Sequence, residues 1–210
     1  MQTAHELFLH ELSDMLDAER KFLEITGEFA EEVSRPDMKK QFETHRAQTE
    51  KQIERLEQCF EELSEEPEEA ECAGVKGLVE EHQNFKEEDP SDDILNVFDI
   101  TASIKGERYE ISAYESLIRM GTMMDHKKVV RLLGQSLKEE QQMAKKMETF
   151  ANKVKPEKLG MEEEEGEGVS EETMDEMGME GEEMTDTGAA RGRKSQKTAG
   201  RSRSQGRRAA

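Results

Sequence analysis

The chain has no tryptophan, and only two cysteines and four prolines among its 210 residues. Aromatic side chains make up only 5% of it. Each scarcity excludes something. Cys59 and Cys72 are too few for a disulfide framework and stand in no metal-ligand spacing, so packing has to hold the fold. No stretch approaches the roughly 20 apolar residues of a membrane span. The N-terminal MQTAHELFLHEL has no basic region, apolar run or small-residue cleavage site of a secretory signal. A reducing cytoplasm is the expected location, with no membrane contact. Basic residues are outnumbered, 30 against 50 acidic, for a net charge of −20. That balance argues against nucleic-acid binding by the folded part.

What is present is unevenly placed. All eight Phe and both Tyr fall within residues 1–155, a length that can bury about two thirds of its surface. Residues 156–188 carry 14 acids against one lysine, and residues 189–210 carry eight Arg or Lys and no acid. The expected organisation is a helical bundle over 1–155, an acidic Glu/Gly/Met-rich disordered linker over 156–188 and a basic disordered tail over 189–210. The run from Arg191 to Arg208 suits non-specific contact with nucleic-acid phosphates, since it has no aromatic for base stacking.

Helical periodicity dominates the first 155 residues. Thr3 and Glu6 form a capping box, followed by Phe8, Leu12, Met15, Ala18, Phe22, Ile25 and Phe29 at spacings of three and four. Ser34-Arg35-Pro36-Asp37 breaks this helix, with Ser34 the expected N-cap of the next. The second stripe is Met38, Phe42, His45, Thr49, Gln52, Leu56, Cys59 and Leu63. An acidic connection over 65–91 follows, with room for a short amphipathic helix around Val75–Phe85. Ser91 caps a third long helix with stripe Val97, Ile100, Ile104, Glu107, Ile111, Tyr114 and Ile118, stopping at Gly121. Asp125 is expected to start the fourth, with Val130, Leu133, Leu137, Glu140, Ala144, Met147 and Ala151. Two tight hairpins joined by one long connection predict an all-α, ferritin-like four-helix bundle with its crossover between the second and third long helices.

Charged residues enter these apolar stripes. Glu19 shares its face with Leu12, Met15, Leu16 and Leu23, and Glu107 and Glu140 lie on theirs, with Glu110 one turn beyond Glu107. Glu107 and Glu140 each lie about sixteen residues from the hairpin turn, hence at one height at 1.5 Å rise per residue. The same count sets Glu19 opposite Gln52. Inward carboxylates at mid-bundle are costly to bury without a cation, and carboxylate with imidazole suits iron or manganese. Alternatively these glutamates lie at seam edges and reach solvent.

Several segments carry a family resemblance, in order across residues 5–152. They are Leu-Ser-Asp-Met-Leu-Asp-Ala-Glu at 12–19, His45-x-x-x-Thr49-x-x-Gln52-x-x-Arg55-Leu56-Glu57 and Cys72-Ala-Gly-Val-Lys-Gly-Leu78. Glu107-x-Tyr109-Glu110-Ile111-x-x-Tyr114 and Leu133-x-Gln135-x-Leu137-x-Glu139-Glu140 complete the set. Together they resemble the YciE/YciF group of bacterial ferritin-like proteins. The resemblance implies a stress-associated, metal-binding bundle with di-iron carboxylate chemistry, oxidising ferrous iron with dioxygen or peroxide. Glu19, Glu107, Glu110 and Glu140 would then hold metal, with His45 or Gln52 lining the site. A homodimer is the expected assembly.

Three positions depart from that group's pattern: Gln48 where it usually has Glu, Arg108 where it has His, and Ala144 where it has Asp. Arg108 brings a fixed positive charge next to Glu107, and a pair with Glu107 or Glu110 would remove the need for a metal. The alternative function is therefore a non-catalytic dimeric bundle with a decayed site, whose charged tail binds partners or nucleic acid.

Overall fold

The structure, a computed structural model, describes residues 1–160. The acidic stretch beyond Gly160, the basic tail and the nucleic-acid contact expected of it lie outside the described residues. Among those described there are five α-helices and no strand.

Local chemistry sets the helix ends. In α1 (Ala4–Glu32) the capping box forms. Thr3 Oγ1 accepts the Glu6 N–H at 3.1 Å, and the Glu6 carboxylate accepts the Thr3 N–H at 3.1 Å. The next helix, α2 (Pro36–Leu63), has Pro36 in its first position, where a fixed φ and a missing N–H do no harm. Its N-cap is therefore Arg35 and not the expected Ser34. The Ser34 hydroxyl instead accepts a 3.3 Å bond from Asn96. The long connection contains α3 (Ala73–Glu87), which extends beyond the expected Val75–Phe85 at both ends. The second hairpin joins α4 (Asp92–Met123) to α5 (Lys127–Ala151). Asp125 sits in its turn with φ 59°, a left-handed value that cannot join a right-handed helix, so α5 begins two residues later than expected. Gly121 does not end α4. It lies inside the helix, where an added Cβ would stand 3.1 Å from Val130 Cγ2, tighter than an ordinary contact. A short 3₁₀ turn (Pro156–Leu159) packs against α4.

Each long helix touches two others: α1 with α2 and α4, and α5 with α2 and α4. His5, near the start of α1, lies 3.1 Å from Glu65, just past the end of α2. At the opposite end Lys86 and Asn96 bond Glu32 and Ser34. The connection thus carries the chain back the full length of the bundle, so α2 and α4 run in one direction. This is the single-crossover arrangement read from the sequence. Along the way α3 covers the seam between α1 and α4.

The core contains Phe8, Leu12, Met15, Met38, Phe42, Leu56, Tyr114, Leu117, Leu133 and Met147, each large apolar side chain worth about 1.5–3 kcal/mol when fully buried. Having three helical neighbours, α4 buries a second stripe besides the expected one: Asp99, Ser103, Gly106, Glu110 and Leu117. Val97, Ile104 and Ile118 are only half-buried. Both cysteines are free and buried, and burial pushes the Cys59 thiol up to about 12, leaving it unreactive. No helix of the described residues is long and apolar enough to cross a membrane.

Candidate metal centre

Four long helices deliver polar side chains to the middle of this core. From α1 comes Glu19, from α2 His45 and Gln52, from α4 Glu107 and Glu110, and from α5 Glu140, all buried. The i,i+3 spacing puts Glu107 and Glu110 on one face of α4. Close approach of α1 and α4 depends on Gly106, since a Cβ there would meet Phe22 Cε1 at 2.9 Å.

One donor atom from each of His45, Glu107, Glu110 and Glu140 fits into a group whose members all lie within 4.8 Å of one another. His45 Nε2 is 3.2 Å from Glu107 Oε1 and 3.7 Å from Glu140 Oε2. Gln52 Nε2 donates to Glu140 Oε1 and, at 3.2 Å, to Glu139 Oε2. Although His45 and Gln52 are two helical turns apart on α2, the Glu140 side chain reaches both. Glu19 stands beside this group. Tyr114 donates its hydroxyl to Glu19 Oε1, and the carboxyl feels the charges of Glu140, His45 and Glu107. Its Oε2 has no partner.

That last feature recurs. Seven buried side-chain polar atoms among the described residues lack a hydrogen-bond partner. Six belong to this cluster: Glu19 Oε2, His45 Nδ1, Gln52 Oε1, Glu107 Oε2, Glu110 Oε1 and Glu140 Oε2. Each would cost about 1–3 kcal/mol if left unsatisfied. So dense a set of buried acceptors needs either protons or a cation.

Without a cation the carboxyls retain protons. Burial pushes Glu107 up to about 8. It also raises Glu19 and Glu110 well above the carboxylate range, aided by the nearby charge of Glu140. Glu140 is raised in the same way by burial and by Glu107, with His45 opposing. A divalent ion would displace these protons and take up the idle oxygens. The donor set of carboxylates, one imidazole and one amide oxygen suits iron or manganese better than a thiophilic metal.

Arg108 takes no part. Successive residues diverge by about 100° around a helix, so Arg108 leaves the core beside Glu107 and pairs with Glu148 at the surface. The pair with Glu107 or Glu110 that would have removed the need for a metal is therefore not formed. Gln48 is half-buried and Ala144 buried. The cation nearest in purpose is Arg55, which bonds Glu139 twice, at 2.6 and 2.9 Å, and Ser136 Oγ at 3.2 Å.

Sequence reasoning missed a second buried pair, His82 on α3 and Asp99 on α4, with Nε2 and Oδ1 2.8 Å apart. A signal existed. Val75, Leu78, Val79 and His82 follow the i, i+3, i+4, i+7 pattern of an inward face.

A family model described as a domain of unknown function (DUF892) matches residues 3–160. The YciF protein of Escherichia coli is 30% identical over 141 residues, which span 67% of this chain and 85% of that protein. The crystal structure of the same organism's stress protein YciF aligns with a TM-score of 0.70 at 26% identity, covering 77% of this chain and 100% of the other. YcfI from Rhodopseudomonas palustris aligns with a TM-score of 0.69 at 30% identity, covering 71% and 95%.

Proposed function

The chain belongs to the DUF892 family, and on that premise we propose that it is a stress-associated metal-binding bundle whose buried cluster oxidises ferrous iron. The carrying observation is that six unpartnered buried polar atoms belong to side chains that four helices bring together around the group of His45, Glu107, Glu110 and Glu140. The stress association is taken from the E. coli relative, a stress protein.

Ferrous iron is the substrate in this reading. His45, Glu107, Glu110 and Glu140 form the primary cradle, and Glu19 supplies a further oxygen for a second ion. Gln52 orients Glu140 through its amide, and Tyr114 fixes Glu19 with one oxygen free. Burial excludes bulk water, so the attraction between carboxylates and cation is weakly screened. The oxidation balances with two ferrous ions each losing one electron, the O–O bond of peroxide taking both, and two solvent protons completing two waters. Manganese fits the same donors.

The test is anaerobic titration of the full chain with ferrous iron, followed by separation of free metal. One or two retained ions per chain are expected, and none in a Glu107→Gln/Glu140→Gln variant that melts cooperatively. Failure of the parent to retain iron or manganese would favour the second reading, a scaffold whose polar core is satisfied by protons. The Gln52–Glu140 bond supports that alternative, since it already uses one Glu140 oxygen.

A further inference from the structure

The seventh unpartnered buried atom is Nδ1 of His82. It belongs to the crossover helix, outside the carboxylate cluster, yet it borders the same empty space. A cavity of about 30 Å³ is lined by Phe22, Phe29, Leu78 and Val79 on its apolar sides, and by His82, Glu107 and Glu110 among its polar ones. That volume holds one or two very small molecules and nothing larger.

The ring of His82 is held firmly. Its Nε2 faces Asp99 Oδ1 at 2.8 Å, and the ring stacks on Phe98 and meets Phe29 at a tilt, with centroids 5.8 and 4.6 Å away. A carboxylate can only accept there, so Nε2 of a neutral imidazole carries the hydrogen and Nδ1 is left with a lone pair. The Ser103 hydroxyl is already committed to the Asp99 carbonyl at 2.8 Å. His45, Glu107 and Glu110 also line the cavity, and His45 Nδ1, Glu107 Oε2 and Glu110 Oε1 have no partners. These three side chains belong to the metal cradle, which leaves His82 Nδ1 as the unpartnered atom outside it. The space therefore wants a small neutral molecule that donates hydrogen bonds. Dioxygen has no donor, and an anion would face two carboxylates. Hydrogen peroxide has two O–H groups and the right size.

We propose that this cavity between α3 and the cluster is the oxidant pocket, that its occupant is hydrogen peroxide, and that His82, set by Asp99, is the residue that positions it. The inference rests on the ferroxidase reading above and chooses its oxidant. Peroxide donates one O–H to His82 Nδ1 and lies against the iron-binding face of α4. Electrons and protons then balance as already given, two ferrous ions per peroxide.

Two measurements on the full chain test this. First, the metal-free protein is crystallised and pressurised with xenon, a probe for apolar cavities open to small solutes. An atom is expected beside Leu78 and Val79, absent in Val79→Phe. An empty cavity in the parent would overturn the pocket. Second, ferrous-loaded protein is mixed with equimolar hydrogen peroxide or dioxygen and ferric formation followed by stopped flow. Peroxide is expected to react faster. The paired His82→Leu/Asp99→Leu variant leaves no buried carboxylate unpaired. It should slow the peroxide reaction about tenfold, the worth of one lost hydrogen bond of about 1.4 kcal/mol, with the dioxygen rate and iron stoichiometry unchanged. His82→Gln keeps both a donor and an acceptor and should recover most of the rate. Faster reaction with dioxygen, or equal slowing of both oxidants in the paired variant, would overturn the proposal. Iron retention is measured before oxidant is added, so loss of the ferroxidase reading itself would register separately.

Discussion

Glu139 and Glu140 are neighbours on α5 with opposite provisions. Glu139 faces Arg55 in a two-pronged pair that Ser136 and Gln52 extend. Glu140, one residue on and fully buried, has only an amide, with His45 3.7 Å away. The same contrast repeats on α4, where Arg108 finds Glu148 outside while Glu107 and Glu110 stay inside without an arginine. A carboxylate with its own cation is structural. A group of carboxylates built without one is incomplete until something else brings positive charge.

The sharpest way to break this comparison is to remove the acids. In the parent, ferrous or manganous ion at a thousandfold excess over its Kd should stabilise the fold by about 4 kcal/mol. Thermal melts with and without metal should show that shift, and Glu107→Gln/Glu140→Gln should abolish it. The metal-free variant should also melt higher than the metal-free parent at pH 8, because two acids that resist ionisation are gone. A shift that persists in the variant would place the ion elsewhere.

The second effect is pH, and its sign separates the two forms. Folded Glu107 holds its proton up to about 8, whereas an unfolded glutamate releases it near 4.5. Between those values the folded state binds more protons at Glu107 than the unfolded one, so this group's contribution to metal-free stability is fully present below about 4.5 and is lost as pH rises towards 8. Glu19, Glu110 and Glu140 are raised in the same direction. The loss from pH 5 to 8 should reach a few kcal/mol in urea melts. With metal at fixed concentration the trend should reverse, since protons and cation compete for the same oxygens. Parallel pH profiles with and without metal would break the argument.

Much of this was legible in the sequence, for identifiable reasons. Periodicity found the four long helices, and counting from the hairpin turns matched Glu107 to Glu140, because helical rise is constant. What the count could not see was lateral direction. It gave Arg108 to its chain neighbour Glu107, although the helix turns the two apart. It also separated His45 from the level of Gln52 along the axis, where a long glutamate from α5 spans the gap. The His82–Asp99 pair was missed because the inward face of the short connection helix was not matched to a neighbour. Once α3 lies over α4, that connection becomes a wall of the core.

A third test works from the satisfied side. Arg55→Ala leaves Glu139 partly buried and without its cation, which should cost about 2 kcal/mol in denaturant unfolding. Because Glu139 also accepts from Gln52, metal affinity should change modestly. Arg55→Ala/Glu139→Ala should recover part of the stability. If Arg55→Ala instead abolished metal retention, the division between Glu139 and Glu140 would be misplaced.

The smallest effect is expected at the surface pair, and its smallness carries information. Arg108 and Glu148 are 60% and 40% exposed, in the range where ion pairs contribute about 0–1 kcal/mol. Glu148→Ala should therefore barely alter the melting curve or metal retention. The same substitution frees Arg108, which is attached one residue from Glu107. Were a released arginine able to turn inward and neutralise the cluster, Glu148→Ala would weaken metal binding as Glu107→Gln does. Unchanged binding would mean that the helix, and not the Glu148 partner, keeps this positive charge away from the buried acids.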